Sequence, residues 1–188
     1  MIATKNKLFS KTINMKTSIF LLTFIFFTIG TGSSDAQQFT EPEAMNILRN
    51  WEGDWQGKAV MNKSLWIPKQ IEMDGNTSSE LILEGKYLEV FNENVRSETK
   101  TLIRYDKASK AFNRWEFKSD GGTSFWVGKW KKFSRKMIWS YVDFSNSGIS
   151  GKITERFDSD GKIKAKVFMK DTQGNVLIEI ESTSIKMN

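Results

Sequence analysis

The chain predicts an all-β protein, an antiparallel up-and-down β-barrel of about ten strands with one short N-terminal helix. Three observations predict it. Beyond residue 54, β-branched and aromatic runs alternate with clusters of Asp, Asn, Ser and Gly. The intervals between runs are short, so neighbouring strands should be antiparallel. No proline follows Pro68, so every later run can donate its backbone N–H groups to a ladder. A two-sheet sandwich is the alternative arrangement.

The first 36 residues read as an export signal, with 37–188 as one barrel domain. Lys5, Lys7, Lys11 and Lys16 form a basic n-region, and 19–29 an apolar stretch shorter than the roughly 20 residues that span a bilayer. Ser34 and Ala36 suit the −3 and −1 positions of a cleavage site. Met15 offers an alternative start. Cleavage lowers the formal charge from +6 to +3, with 24 basic against 21 acidic side chains. That argues against nucleic acid as a partner, which calls for a dense basic stripe on the mature domain. No stable membrane anchor is expected after cleavage, and the expected location is periplasmic or secreted.

In the mature chain, Thr40-Glu41-Pro42-Glu43 has the spacing of a capping box with proline in the first turn. The helix runs to about residue 50, with Ala44, Ile47, Leu48 and Trp51 on its apolar face. Strand segments follow at 55–62, 69–73, 80–83, 87–95, 99–106, 111–118, 123–131, 136–144, 149–157, 163–169 and 176–184.

Hairpin chemistry sets register, and register decides which side chains face inward. Ser159-Asp160-Gly161 as a three-residue loop opposes Phe157 to Ile163, Glu155 to Ala165 and Ile153 to Val167. A loop at 171–174 opposes Val167 to Ile178, Ala165 to Ile180 and Lys166 to Glu179. A loop at 146–148 opposes Tyr141 to Ile153, and a turn at Phe133-Ser134 opposes Trp126 to Tyr141. Asp120-Gly121, a type I′ signal, opposes Trp126 to Trp115. One face then collects Trp115, Phe117, Trp126, Trp130, Trp139, Tyr141, Ile153, Phe157 and Val167, with Glu155 among them. The candidate ligand-binding residues are Trp115, Trp126, Trp130, Trp139, Tyr141 and Glu155. A buried ionised carboxylate costs several kcal/mol unless it is answered, so Glu155 needs a proton, a hydrogen-bond donor or a cation.

The stretch 48–57, Leu-Arg-Asn-Trp-Glu-Gly-Asp-Trp-Gln-Gly, together with Leu83-Glu84-Gly85-Lys86-Tyr87-Leu88 and Tyr105-Asp106 leading to Phe112 and Trp115, resembles a bacterial family of uncharacterised exported domains. Their barrels are lipocalin-like (calycin-type) and distantly similar to nitrobindin. The resemblance implies the barrel and brings no catalytic residue with it. Nitrobindin-like haem binding uses an axial histidine; this sequence has no histidine, so His-ligated haem is disfavoured and no cofactor is expected.

The same composition limits the function. Without cysteine or histidine there is no disulfide framework, thiolate nucleophile, Ser-His-Asp triad or imidazole metal site. Acid–base work would fall to Glu155, Asp143, Tyr105 or Tyr141, whose spacing supports no mechanism, so an enzyme ranks last. The leading reading is an exported protein binding a small apolar or amphipathic molecule in the barrel. The alternative is a structural or protein-interaction barrel with a filled core. Oligomeric state is not legible.

Overall fold

A capping box starts the helix. In a computed structural model describing residues 38–95 and 97–187, the Thr40 hydroxyl accepts from the Glu43 N–H. The Glu43 carboxylate accepts from the Thr40 N–H at 2.8 Å. Helix α1 spans Glu41–Leu48 and buries Ala44, Ile47 and Leu48, the face the sequence marks as apolar. The predicted export signal lies outside the described residues.

Ten strands follow: β1 (Gly53–Met61), β2 (Ile71–Ile82), β3 (Tyr87–Asn94), β4 (Glu98–Asp106), β5 (Ala111–Lys118), β6 (Thr123–Lys131), β7 (Lys136–Tyr141), β8 (Ser150–Phe157), β9 (Lys162–Lys170) and β10 (Val176–Lys186). Each pairs antiparallel with its chain neighbours, and β10 returns to β1 to close the barrel. Closure leaves no open sheet edge, which removes the usual template for aggregation. The two segments predicted at 69–73 and 80–83 are one strand, β2. The polar run between them, Asp74 to Ser79, pairs with β1 along its length and with β3 from Gly75 onward. Low β propensity is overridden there by two neighbouring ladders.

Two hairpins have the predicted register: β6–β7, where Trp126 opposes Tyr141, and β8–β9. In the latter, Phe157 opposes Ile163 and Glu155 opposes Ala165, set by a loop with Gly161 at φ +73. Two others are displaced by two residues, which leaves every side chain on its expected face. Between β7 and β8, Trp139 rather than Tyr141 opposes Ile153. There the Asp143 carboxylate gathers the Ser145 and Gly148 N–H groups and the Ser145 and Ser147 hydroxyls into a wider loop. Between β9 and β10 a bulge between Val176 and Ile178 sets Ile180 opposite Val167 and Ser182 opposite Ala165. Lys166 therefore lies opposite Glu181, and its Nζ still reaches both Glu179 (2.8 Å) and Glu181 (3.0 Å) on the solvated face.

The β5–β6 hairpin is displaced by one residue, and its consequence is larger. Arg114 opposes Trp126, Trp115 opposes Phe125 and Glu116 opposes Ser124. The Lys118 N–H donates to the Gly122 carbonyl at 2.9 Å, so the loop is Ser119-Asp120-Gly121, three residues long, with Gly121 at φ +84. The Asp120 carboxylate draws in the Gly122 N–H at 2.8 Å and favours this loop over the two-residue turn. A one-residue slip exchanges the faces of a strand. Trp115 and Phe117 therefore face outward, contrary to expectation, and Arg114 and Glu116 face inward.

Candidate functional site

The barrel has a filled half and an open half. At the end closed by α1, Trp51 meets the ring of Phe157 edge-on at 4.4 Å, and Trp130 packs on Phe157 at 5.5 Å. Leu88, Ile103, Phe112, Met137 and Trp139 complete a layer with at most 1% exposure. Gly128 lies directly beneath Trp139; a Cβ there would fall 2.4 Å from the indole, so β6 must present glycine for the ring to lie flat. Trp55 is buried and donates from Nε1 to the Trp51 carbonyl at 2.7 Å. It also forms part of the floor of the open half.

Above this floor lies a cavity of about 500 Å³. Its two walls differ in chemistry. Strands β8 to β10 contribute mainly aliphatic side chains, Ile153, Val167, Met169, Ile178 and Ile180, with Glu155, Ser182 and Ser184 among them, while β2 to β6 contribute mainly polar ones, Thr77, Ser79, Asn92, Thr101, Arg114, Glu116 and Ser124. The polar run of β2, an apparent loop in the sequence, thus supplies hydroxyls to the lumen. Ser79 binds the carbonyls of Trp51 and Gly53 from there. Trp66, half-exposed in the β1–β2 connection, also lines the cavity.

An ionic cluster sits at the base of the polar wall. Arg114 Nη2 is 2.6 Å from Glu116 Oε1, and Arg114 Nη1 is 3.1 Å from Glu155 Oε1. The side chains are only 17%, 11% and 11% exposed. The second oxygen of each carboxylate is also bound. Glu155 Oε2 accepts from Trp139 Nε1 at 2.8 Å. Glu116 Oε2 accepts from the Ser124 hydroxyl and from Trp126 Nε1 at 3.0 Å. The guanidinium stacks over the Trp139 ring with Cζ 5.5 Å from its centroid. Burial pushes the Glu116 carboxyl upward, but the Arg114 charge and the Ser124 and Trp126 hydrogen bonds outweigh it and hold the carboxyl below its ordinary value. Burial likewise opposes charge on Arg114, and the two carboxylates more than offset it.

Of the six residues singled out in the sequence, Trp126, Tyr141 and Glu155 line the cavity. Trp139 and Trp130 lie beneath it, in the filled layer. Trp115 is on the outer surface, against Phe125 at 5.2 Å and under the Arg104 guanidinium at 5.8 Å. The one-residue loop difference at Gly121 put it there. The same difference hid Arg114 and Glu116. The acid–base candidates do not converge: Tyr105 Oη accepts from the Phe39 N–H at 3.2 Å beside the helix end, and Asp143 is spent on its exposed loop. Those loop hydrogen bonds, the Ser145 hydroxyl's above all, depress the Asp143 carboxyl to about 2.

Closure, all-antiparallel order and the helix at one end together decide the fold. It is a lipocalin-like barrel. Two solved structures share it. Rv2717c from M. tuberculosis has a TM-score of 0.60 at 12% identity, over 77% of this chain and 98% of that one. The S-type phycobiliprotein lyase CPES from Guillardia theta has a TM-score of 0.50 at 10% identity, over 81% of this chain and 99% of that one. At such identities the likeness concerns fold alone. No family model matches the chain, and no curated protein matches it in sequence.

Proposed function

We propose that this domain is an exported binding protein that holds a small amphipathic molecule inside the barrel. One observation carries the proposal: a cavity of about 500 Å³ whose mainly aliphatic wall on β8–β10, with Glu155 on β8, faces a mainly hydrogen-bonding wall on β2–β6. Ligand sites commonly occupy roughly 300–1,000 Å³ and combine mostly apolar lining with a few placed polar groups. The basic and apolar segments of the first 36 residues support export. A tail against Ile153, Val167 and Ile180 gains about 0.8 kcal/mol per buried methylene, and a polar end can meet the hydroxyls and carboxylates opposite.

Titration of the mature domain with straight-chain alcohols and amines, followed by tryptophan emission, tests the proposal. Trp126 borders the cavity, so emission should shift with saturation in the micromolar range. An Ala165→Trp variant fills the cavity from β9 and should abolish that response while retaining the fold. A flat response across the panel up to millimolar concentration would contradict the proposal.

A further inference from the structure

The two buried carboxylates share one guanidinium. Arg114 spends Nη2 on Glu116 and Nη1 on Glu155, so the ionised cluster carries one negative charge in excess. Lys118 also reaches the cavity wall, but its side chain is at the exposed rim. Among the described residues it forms no ion pair with either glutamate, and its charge acts on Glu116 only from a distance, behind Arg114, Ser124 and Trp126. Lys186 lies below the floor, over the Trp55 ring at 5.6 Å. Among the described residues no other Lys or Arg side chain lines the cavity. The indole of Trp126, the ring of Tyr141 and the half-exposed Trp66 also border the open space. Aromatic faces attract cations through their quadrupole, more strongly where water is excluded.

We infer that the ligand's polar end is cationic, so that the cavity takes an amphipathic monocation: an amine or alkylated ammonium head near Glu155 and Glu116, with an aliphatic tail along β8–β10. The inference rests on the cavity being a binding site, as proposed above. A carboxylate-bearing ligand would have to approach two carboxylates whose arginine already has both terminal nitrogens engaged. A neutral alcohol would gain a hydrogen bond but leave the excess charge unanswered. A cation answers it, in a setting where an uncompensated charge is costly.

Three probes of equal tail length separate the possibilities: octyltrimethylammonium, octanol and octanoate, each titrated against the mature wild-type domain by calorimetry. Octyltrimethylammonium should bind at least tenfold more tightly than either of the others. Glu155→Gln and Glu116→Gln should each weaken it several-fold while changing octanol affinity little. If octanoate binds most tightly, or all three bind alike, the cation inference is overturned and the binding function stands. If none binds, the function proposed above fails and the inference falls with it. The wild-type comparison decides the question even if a glutamate variant does not fold.

Discussion

Replacing Arg114 with Met should destabilise the domain by about 3–5 kcal/mol at neutral pH, because it leaves two buried carboxylates without their shared cation. The size follows from burial. Arg114, Glu116 and Glu155 are each at least four-fifths removed from solvent, and the remaining donors, Ser124, Trp126 and Trp139, are neutral. Combining Arg114→Met with Glu116→Gln and Glu155→Gln should recover most of the loss, since neutral residues of similar volume carry no uncompensated charge. Chemical denaturation of the wild type, the single variant and the triple variant checks both statements. The pH dependence has a definite sign. In the wild type the Glu116 carboxyl lies below its ordinary value of 4.5, so its stabilisation is fully present above that value and is lost as pH falls through the lowered one. In Arg114→Met the Glu116 carboxyl loses the charge that lowers it and takes up its proton at higher pH than in the wild type. The difference between the two proteins should therefore narrow on acidification. A single-variant loss below about 1 kcal/mol would mean that the cluster is hydrated and not buried.

Shortening Trp139 to Ala should cost about 3–5 kcal/mol, the ordinary penalty for removing a fully buried aromatic ring. Trp139 is 0% exposed, rests on Gly128, supports the Arg114 guanidinium and donates to Glu155. Trp139→Phe preserves most of the packing but deletes the donor. It should cost roughly 1–3 kcal/mol, the range for leaving a buried acceptor short of a partner. Thermal and urea unfolding of the two variants separate packing from hydrogen bonding. Trp115→Ala is the contrasting case. Its ring lies outside the barrel and only partly buried, so its removal should leave binding in the cavity unchanged.

The helix and the barrel were legible because their signals are local. Thr40 and Glu43 are a capping box within one turn, and Asp160-Gly161 determines a loop with a single strongly preferred geometry. Closure of the sheet by β1 and β10 followed from strand number and short connections. Two displaced hairpins did no harm, because a shift of two residues preserves the face. At Asp120-Gly121-Gly122 two loop lengths were open, and they differ by one residue. The type I′ signal of Asp120-Gly121 pointed to the wrong one. It placed Trp115 and Phe117 inside and sent Arg114 and Glu116 to solvent, as the usual distribution of charged residues would. Only tertiary structure, in which Ser124, Trp126, Trp139 and Glu155 satisfy those charges, makes the opposite choice favourable. The lumenal hydroxyls of β2 were hidden for a related reason: Asn76-Thr77-Ser78-Ser79 has the composition of a loop and becomes a strand between two partners. Glu155 was the one polar lumen residue in view, and the demand that its charge be answered pointed toward a partner that the sequence did not identify.

The central claim, that the open half of the barrel receives a small molecule, competes with one other apolar feature. Tyr87, Arg104, Trp115, Phe125 and Phe144 form a row across the outer surface, linked by ring contacts and by Arg104 over two of the rings. Heteronuclear NMR of the mature domain, titrated with octyltrimethylammonium, distinguishes them directly. The account predicts shifts concentrated at the Trp126 indole N–H, Thr101, Ile153, Val167 and Ile180, with the Trp115 indole unmoved. Shifts confined to Trp115, Phe125 and Phe144, with the lumenal signals unchanged, would contradict it.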